Sequence, residues 1–401
     1  MPDSIVLFST ADWDNPFWTN KQHMALHLAA RGYKILYVES LGLRKITVTG
    51  SDWTRIFRRL KRFVAGVTQK GPNLWVYSPA VLPLHHIPAV KKFNDWALAV
   101  QLRLYMWRLG FKKTMAWTYN PMVLDLIKDL QLDTIVYHCV DDLAAAPRLP
   151  SESIEAEETR LAGAANVVFV TSEGLRTKLQ TKAKGLLRYY PNVADYEHFR
   201  RARDVSTPVP EELARIPGPR VGFVGAISGY KVDFELIARA AALRPEWNWV
   251  LIGKVGEGDP HTDISLLQRP NIHLLGPKSY SELPGYLKGM DATVLPCGFN
   301  DYTKSMFPMK FFEYLSAGKL IVATDLPALK PYRDAFMVAE DAEGFVAALE
   351  KVLSKQVAFT PEMDALARAN TWQARLDRML TDLELAMSDN VLTESPYAEV
   401  K

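Results

Sequence analysis

Short β-branched or aromatic runs alternate with amphipathic helical segments twice along this chain. That alternation, more than any other feature, limits what the chain can fold into. In the first half the runs are Ile5–Ser9, Lys34–Glu39, Leu74–Ser78, Met115–Thr118, Thr134–Cys139 and Val167–Thr171. Helical periodicity fills the gaps at Thr19–Arg31, Met122–Leu130, Glu155–Ala164 and Ser172–Ala183. Repeated β–α–β units predict an open parallel sheet with helices on both faces.

The pattern breaks at Arg201–Pro219, RARDVSTPVPEELARIPGP, whose Pro, Arg and Glu content reads as a linker. A second alternation follows. Its strands are expected at Val221–Val224, Trp249–Ile252, Ile272–Leu275, Ala292–Leu295 and Leu320–Ala323. Its helices are expected at Val232–Ala241, Tyr280–Lys288, Lys310–Ser316 and Glu343–Leu353. The fold class is therefore α/β, with two doubly wound domains at 1–200 and 201–370. A helix near Pro361–Ser388 leads into a tail, and residues 371–401 can cross back to the first domain. The default ligand site of such a pair is the cleft where the carboxyl ends of their strands face each other.

Composition excludes several other classes. The 401 residues are 48% hydrophobic and 23% charged, enough to bury a large core without staples. Two cysteines, Cys139 and Cys297, cannot build a disulfide scaffold or a Cys-rich zinc module, and they fit a reducing compartment. The opening MPDSIVLFSTADWD reads as a first strand and not as a signal peptide. No run of 18 apolar residues is present, so a cytoplasmic protein is expected.

Charge is uneven: residues 1–200 sum to +8 and residues 201–401 to −5. Ser51–Lys70, SDWTRIFRRLKRFVAGVTQK, carries much of the excess. Trp53, Ile56, Phe57, Leu60, Phe63 and Val64 follow one helix face, among Arg55, Arg58, Arg59, Lys61, Arg62 and Lys70. A basic amphipathic helix of this kind suits an anionic membrane surface, with Trp53, Phe57, Arg58, Arg59, Lys61 and Arg62 in contact. The plainer alternative is a helix packed on a sheet with a solvated basic face. Val90–Lys113 repeats the mixture, but its apolar residues spread all round, as in a buried helix. Nucleic acid is not an expected partner, because overall charge is near neutral and no nucleic-acid-binding motif is visible.

The most informative local motif is Phe307–Pro327, FPMKFFEYLSAGKLIVATDLP. Pro308 suits the first turn of a helix, and Gly318 suits its stop before a buried strand. Glu313 falls among Phe311, Phe312, Tyr314 and Leu315. A carboxylate there needs partners; ribose hydroxyls would serve, and so would a neighbouring lysine. The backbone around Ser305, Met306, Phe307, Pro308 and Met309, at the head of this helix, suits a diphosphate.

The run P-x-K-x-x-E-Y-L-x-x-G-K resembles the donor-binding motif of group 1 nucleotide-sugar glycosyltransferases of the GT-B fold, enzymes of capsule, teichuronic acid and exopolysaccharide synthesis. Four further pieces agree in order: Tyr190–Phe199 (YPNVADYEHF), Val221–Lys231 (VGFVGAISGYK), Trp249–Lys254 (WVLIGK) and Asn271–Tyr280 (NIHLLGPKSY). Asn15–Gly32 is similar to the family's N-terminal loop and helix. The resemblance implies two Rossmann-like domains, an N-terminal one for acceptor and a C-terminal one for donor. It implies that Lys231, Lys254 and Lys310 meet the leaving diphosphate without a metal or other cofactor, and that the base stacks near Gly276, Pro277 and Tyr280. Where the family often has a first Glu, eight residues before Glu313, this chain has Ser305.

On the acceptor side, Thr134–Asp142 (TIVYHCVDD) ends a strand in two carboxylates. Asp142, or failing it Asp141, is the candidate general base of an inverting reaction; the alternative is that one caps the next turn. Asp14, Asn15, Trp18 and His23 follow the first strand and are candidates for acceptor contact. The partners implied are an NDP-sugar donor, UDP-linked, a glycan or polyprenyl-linked glycan acceptor, and an anionic inner-membrane surface. Two other readings fit the same fold: a nucleotide-sugar 2-epimerase, and a non-catalytic assembly protein that binds sugar nucleotides. A dinucleotide-dependent oxidoreductase is excluded by the absence of G-x-G-x-x-G after the first strand.

Overall fold

The computed structural model describes residues 2–15, 18–41, 65–80, 88–147 and 149–388. It divides into one unit of Met1–Tyr190 with Leu376–Lys401 and a second of Pro191–Arg375.

The first unit is built on an eight-stranded sheet in the order β3-β4-β2-β1-β5-β6-β7-β8. The strands are β1 (Ser4–Phe8), β2 (Lys34–Val38), β3 (Val67–Gly71), β4 (Leu74–Tyr77), β5 (Thr114–Thr118), β6 (Ile135–Cys139), β7 (Val167–Val170) and β8 (Leu186–Tyr189). All neighbours run parallel except β3 and β4. Every residue of β1 is buried, as both faces of a parallel sheet require. Val6, Leu36, Ala116 and Ile135 face the core shared with Leu98, Ala99 and Leu102 of the Pro88–Arg108 helix. The chain enters the Asn20–Ala30 helix through Thr19, whose N–H donates to Gln22 Oε1 at 3.1 Å.

The second unit has six parallel strands in the order β11-β10-β9-β12-β13-β14. They are β9 (Arg220–Val224), β10 (Asn248–Ile252), β11 (Ile272–Gly276), β12 (Ala292–Leu295), β13 (Ile321–Ala323) and β14 (Met337–Val338). Side-chain alternation divides their residues between two cores. Val224, Val250, Ile252 and Leu295 join the Leu283–Lys288 and Lys310–Ser316 helices. Phe223, Trp249, Leu251 and Val294 join the Phe234–Leu243 and Ala342–Leu353 helices. Both faces are covered, which is the doubly wound arrangement expected.

Several elements differ from the sequence reading. The stretch read as a linker is folded into the second unit: Tyr196 and Phe199 before it, and Ala202, Leu213 and Ile216 within it, are buried in that unit's core. The end of the basic stretch 51–70 is strand β3, not helix; its edge position needs no apolar run. Trp53, Phe57, Arg58, Arg59, Lys61 and Arg62 lie outside the described residues. The single helix expected near Pro361–Ser388 is two, Pro361–Ala369 and Trp372–Ser388. They part where Asn370 Nδ2 donates to the Leu366 carbonyl and Thr371 Oγ1 accepts from Ala374 N. The Pro88–Arg108 helix is not buried all round, because Phe93, Trp96, Val100, Leu104 and Trp107 are exposed. No helix among the described residues is long and apolar enough to cross a membrane.

Candidate functional site

In the second unit, β9 has β10 on one side and β12 on the other, so the loops after β9 and β12 diverge from a topological switch point. Lys231 ends the loop after β9. Its Nζ lies 5.3 Å from the ring centres of both Tyr230 and Tyr302. Main-chain bonds fix the two loops together: Gly298 N donates to Lys231 O at 3.1 Å, and Asp233 N to Pro296 O at 2.8 Å. Beside them Gly253 holds φ +156°, and a Cβ there would stand 1.7 Å from the Gly225 carbonyl oxygen. Only glycine permits that approach. Lys254, the next residue, is exposed.

The Lys310–Ser316 helix forms where the sequence places it. The rings of Phe311, Phe312 and Tyr314 are buried, and the Tyr314 hydroxyl accepts from Val224 N at 2.8 Å, tying the helix to the end of β9. Glu313 is only 2% exposed. Lys310 Nζ donates to Glu313 Oε2 at 2.7 Å, which joins two of the expected donor residues to each other. Glu313 Oε1 has no hydrogen bond among the described residues. Before the helix, Ser305, Met306 and Met309 are half-buried and Pro308 is buried. The Phe307 ring stacks on Phe312 in the core, 5.7 Å between centroids, so only its main chain is left for a ligand.

Gly276 ends β11, Pro277 is exposed and Tyr280 follows in a short helical turn. Tyr280 stacks on His198, 4.2 Å between centroids and 11° between planes. His198 Nε2 donates to the Tyr280 carbonyl at 2.9 Å. Burial holds the His198 imidazole below its ordinary pKa and raises that of the Tyr280 phenol, so both rings favour their neutral forms. His198 falls inside the quoted YPNVADYEHF segment, yet nothing in its spacing singled it out.

In the first unit β1 is the switch-point strand, between β2 and β5. Asp141 and Asp142 follow β6, as expected, but their surroundings differ. Asp142 Oδ1 accepts from Lys178 Nζ at 2.7 Å and from Ala145 N at 3.3 Å. Lys178 is also 2.9 Å from Glu158, whose other oxygen accepts the Tyr137 hydroxyl at 2.7 Å. Burial disfavours the Lys178 ammonium, but Asp142 and Glu158 outweigh it and leave its pKa raised. Asp142 is thus engaged in a structural pair and cap. Asp141 is 31% exposed, with Lys21 Nζ at 3.5 Å. It lines a shallow depression with Thr10, Tyr119, Tyr137 and Leu143. Lys21, which the sequence reading passed over, lies 5.7 Å from the Tyr119 ring centre.

The loop after β1 carries the other acceptor candidates. Asp14 is exposed and pairs with Lys70 at 3.2 Å. His23 is buried, its ring 5.4 Å from that of Trp18 and edge-on to it. Asn15 and Trp18 are half-buried. Glu39 is a buried carboxylate not singled out from sequence; it accepts Trp13 N at 2.7 Å and the Ser78 hydroxyl. Among the described residues no three His, Cys, Asp or Glu side chains gather to hold a metal.

Comparison with known proteins bears on both units. Residues 218–355 match the family model of group 1 glycosyl transferases. A Bacillus subtilis (strain 168) protein, TuaH, whose name assigns it provisionally as a teichuronic acid biosynthesis glycosyltransferase, is 30% identical over 239 residues. That match covers 56% of this chain and 59% of TuaH, so the chain spans less than two thirds of that relative. Three solved structures share the fold at low identity. Sucrose-phosphate synthase from Thermosynechococcus elongatus aligns with a TM-score of 0.70 at 17% identity, over 96% of this chain and 100% of its own. Anabaena Alr3699/HepE in complex with UDP-glucose aligns with a TM-score of 0.66 at 14% identity, over 95% and 99%. Trehalose 6-phosphate synthase from Burkholderia multivorans aligns with a TM-score of 0.65 at 13% identity, over 98% of both chains. The fold is the two-domain GT-B fold.

Proposed function

We propose that this chain, which carries a group 1 glycosyl transferase domain over residues 218–355, moves a sugar from a UDP-sugar to a growing polysaccharide or lipid-linked oligosaccharide. The observation that carries the reading is Glu313, a buried carboxylate with one oxygen on Lys310 and the other without a hydrogen bond among the described residues. Ribose hydroxyls donate to such an oxygen. Lys231 and Lys310 would meet the charge that develops on the departing diphosphate, without a metal. The naming of HepE as a UDP-glucose complex supports uridine as the base, and Tyr280 stacked on His198 offers it an aromatic surface.

The first unit takes the acceptor in this proposal. Asp141, the more open carboxylate, accepts the proton of the attacking hydroxyl as the sugar–phosphate C–O bond breaks and UDP leaves. Asn15 and Trp18 would contact the acceptor. The basic composition of residues 51–64 supports a cytoplasmic protein held peripherally at the inner face of the membrane, near a lipid-linked acceptor.

The test is UDP release from a panel of UDP-sugars, with and without a polyprenyl-linked glycan, in EDTA and in added Mg²⁺. Acceptor-dependent release that survives EDTA supports the whole reading. Interconversion of UDP-sugars without acceptor would make the chain an epimerase. Tight UDP binding with no turnover under any condition would make it a binding protein.

A further inference from the structure

The Pro88–Arg108 helix packs one face against the first unit through Leu98, Ala99 and Leu102. The opposite face is apolar and open. Phe93, Trp96, Val100, Leu104 and Trp107 are all exposed, Trp96 to 59% and Trp107 to 76%. At 3.6 residues per turn these five fall within an arc of about 80°. They form a single continuous stripe, with Phe93 and Trp96 in ring contact at 6.0 Å. Large apolar groups gathered on one line of the surface mark an interaction site, whereas scattered ones do not.

The charges beside the stripe name the occupant. Lys92 and Arg103 border it on one side and Arg108 on the other, all exposed. Lys112 and Lys113 follow just beyond the helix end and are also exposed. Asp95, the only carboxylate in the helix, sits on the far side and is bound to Lys91 at 3.0 Å. An apolar stripe with tryptophan near each end, bordered by cations of its own helix and by none of that helix's carboxylates, matches a surface that is oily within and negative at its rim. We propose that this helix lies flat on an anionic lipid bilayer, with the stripe among the acyl chains and Lys92, Arg103 and Arg108 at the headgroups. The inference is independent of the transfer reaction and of residues 51–62. Its failure would leave the donor site untouched.

The experiment is co-sedimentation of the full chain with vesicles of equimolar phosphatidylglycerol and phosphatidylcholine, and with phosphatidylcholine alone. The wild type should bind the anionic vesicles and bind the neutral ones weakly. Trp96→Ser with Trp107→Ser should weaken binding by roughly tenfold or more while leaving thermal unfolding unchanged, since both side chains are exposed. Lys92→Gln with Arg108→Gln should weaken it about fivefold per charge removed. A variant with Arg58, Arg59, Lys61 and Arg62 all changed to Gln separates the two basic stretches. Loss of binding there, with full binding in the Trp96/Trp107 variant, would overturn the proposal. Absence of vesicle binding by the wild type would overturn it too, as would a dimer that the Trp96/Trp107 variant dissolves, because the stripe would then face a second copy.

Discussion

Lys310 Nζ and Glu313 Oε2 stand 2.7 Å apart, one turn along a helix whose other side chains are mostly buried rings. The pair gives one carboxylate oxygen of Glu313 a partner in an apolar setting and leaves the second for a ligand. Glu313→Ala is expected to weaken UDP binding by about 10- to 100-fold, the value of hydrogen bonds to a charged acceptor. Glu313→Gln should fall between, since an amide keeps the acceptor and loses the charge. Titration calorimetry with UDP measures both, and an unchanged dissociation constant in Glu313→Ala would remove the ribose role.

Asp141 and Asp142 should separate cleanly. Asp142→Ala strands Lys178, whose side chain is 18% exposed and keeps Glu158 as its remaining acid. It should lower the unfolding free energy by about 1–3 kcal/mol. Asp141→Asn keeps an oxygen toward Lys21 Nζ, 3.5 Å away, so it should cost less stability than Asp142→Ala, about 1 kcal/mol or below, and cut turnover by about 10²–10⁴-fold. Urea unfolding and UDP release report the two effects. The opposite assignment would return the base to Asp142.

Acid should loosen the second unit at Asp364. Part burial raises the pKa of this carboxyl, but Arg368, Arg203 and the Tyr196 hydroxyl outweigh it and bring it from 3.8 to about 2. A depressed folded value means that the stabilisation is present above pH 3.8 and is lost as pH falls toward 2. Wild-type stability should therefore drop between about pH 4 and pH 2, and Asp364→Asn should flatten that part of the curve. Thermal unfolding across this range is the measurement.

Both thiols should be silent in the folded chain. Cys139 and Cys297 are buried, and burial raises both pKa values, that of Cys297 to about 12. At pH 8 roughly 1 in 10⁴ of the Cys297 side chains is thiolate. An aromatic disulfide reagent should find almost no thiol in the native protein and both after denaturation. Rapid native reaction would show that β6 at Cys139, or the segment after β12 at Cys297, opens.

The elements most legible in the sequence were those with local punctuation. Pro308 and Gly318 bracket the Lys310–Ser316 helix, and its bounds came out as read. Strand β3 was hidden because VTQKG has no apolar run, and an edge strand needs none. Asn370 and Thr371 carried a helix stop and a helix start, yet an amphipathic pattern running through both hid the break. Site residues were harder to read when their partners are distant. His198 meets Tyr280 across 82 positions, and Lys178 meets Asp142 across 36. Such pairings come from the order of strands in a sheet, which the local periodicity does not encode. The exposed face of Pro88–Arg108 was missed for the opposite reason. Apolar residues all round a helix read as burial, but half of them here face outward.

The first unit is written in two pieces, with Pro191–Arg375 between them. Its closing helix, Trp372–Ser388, supplies Asp382 to the Tyr190 hydroxyl at 2.8 Å and Asp377 to Arg31. As the chain leaves the ribosome, Tyr190 emerges almost two hundred residues before the aspartate it will hold. The early unit must wait, incomplete, while the later one is made and folds. A nascent chain halted anywhere short of residue 382 would carry an unfinished first unit, however sound its second.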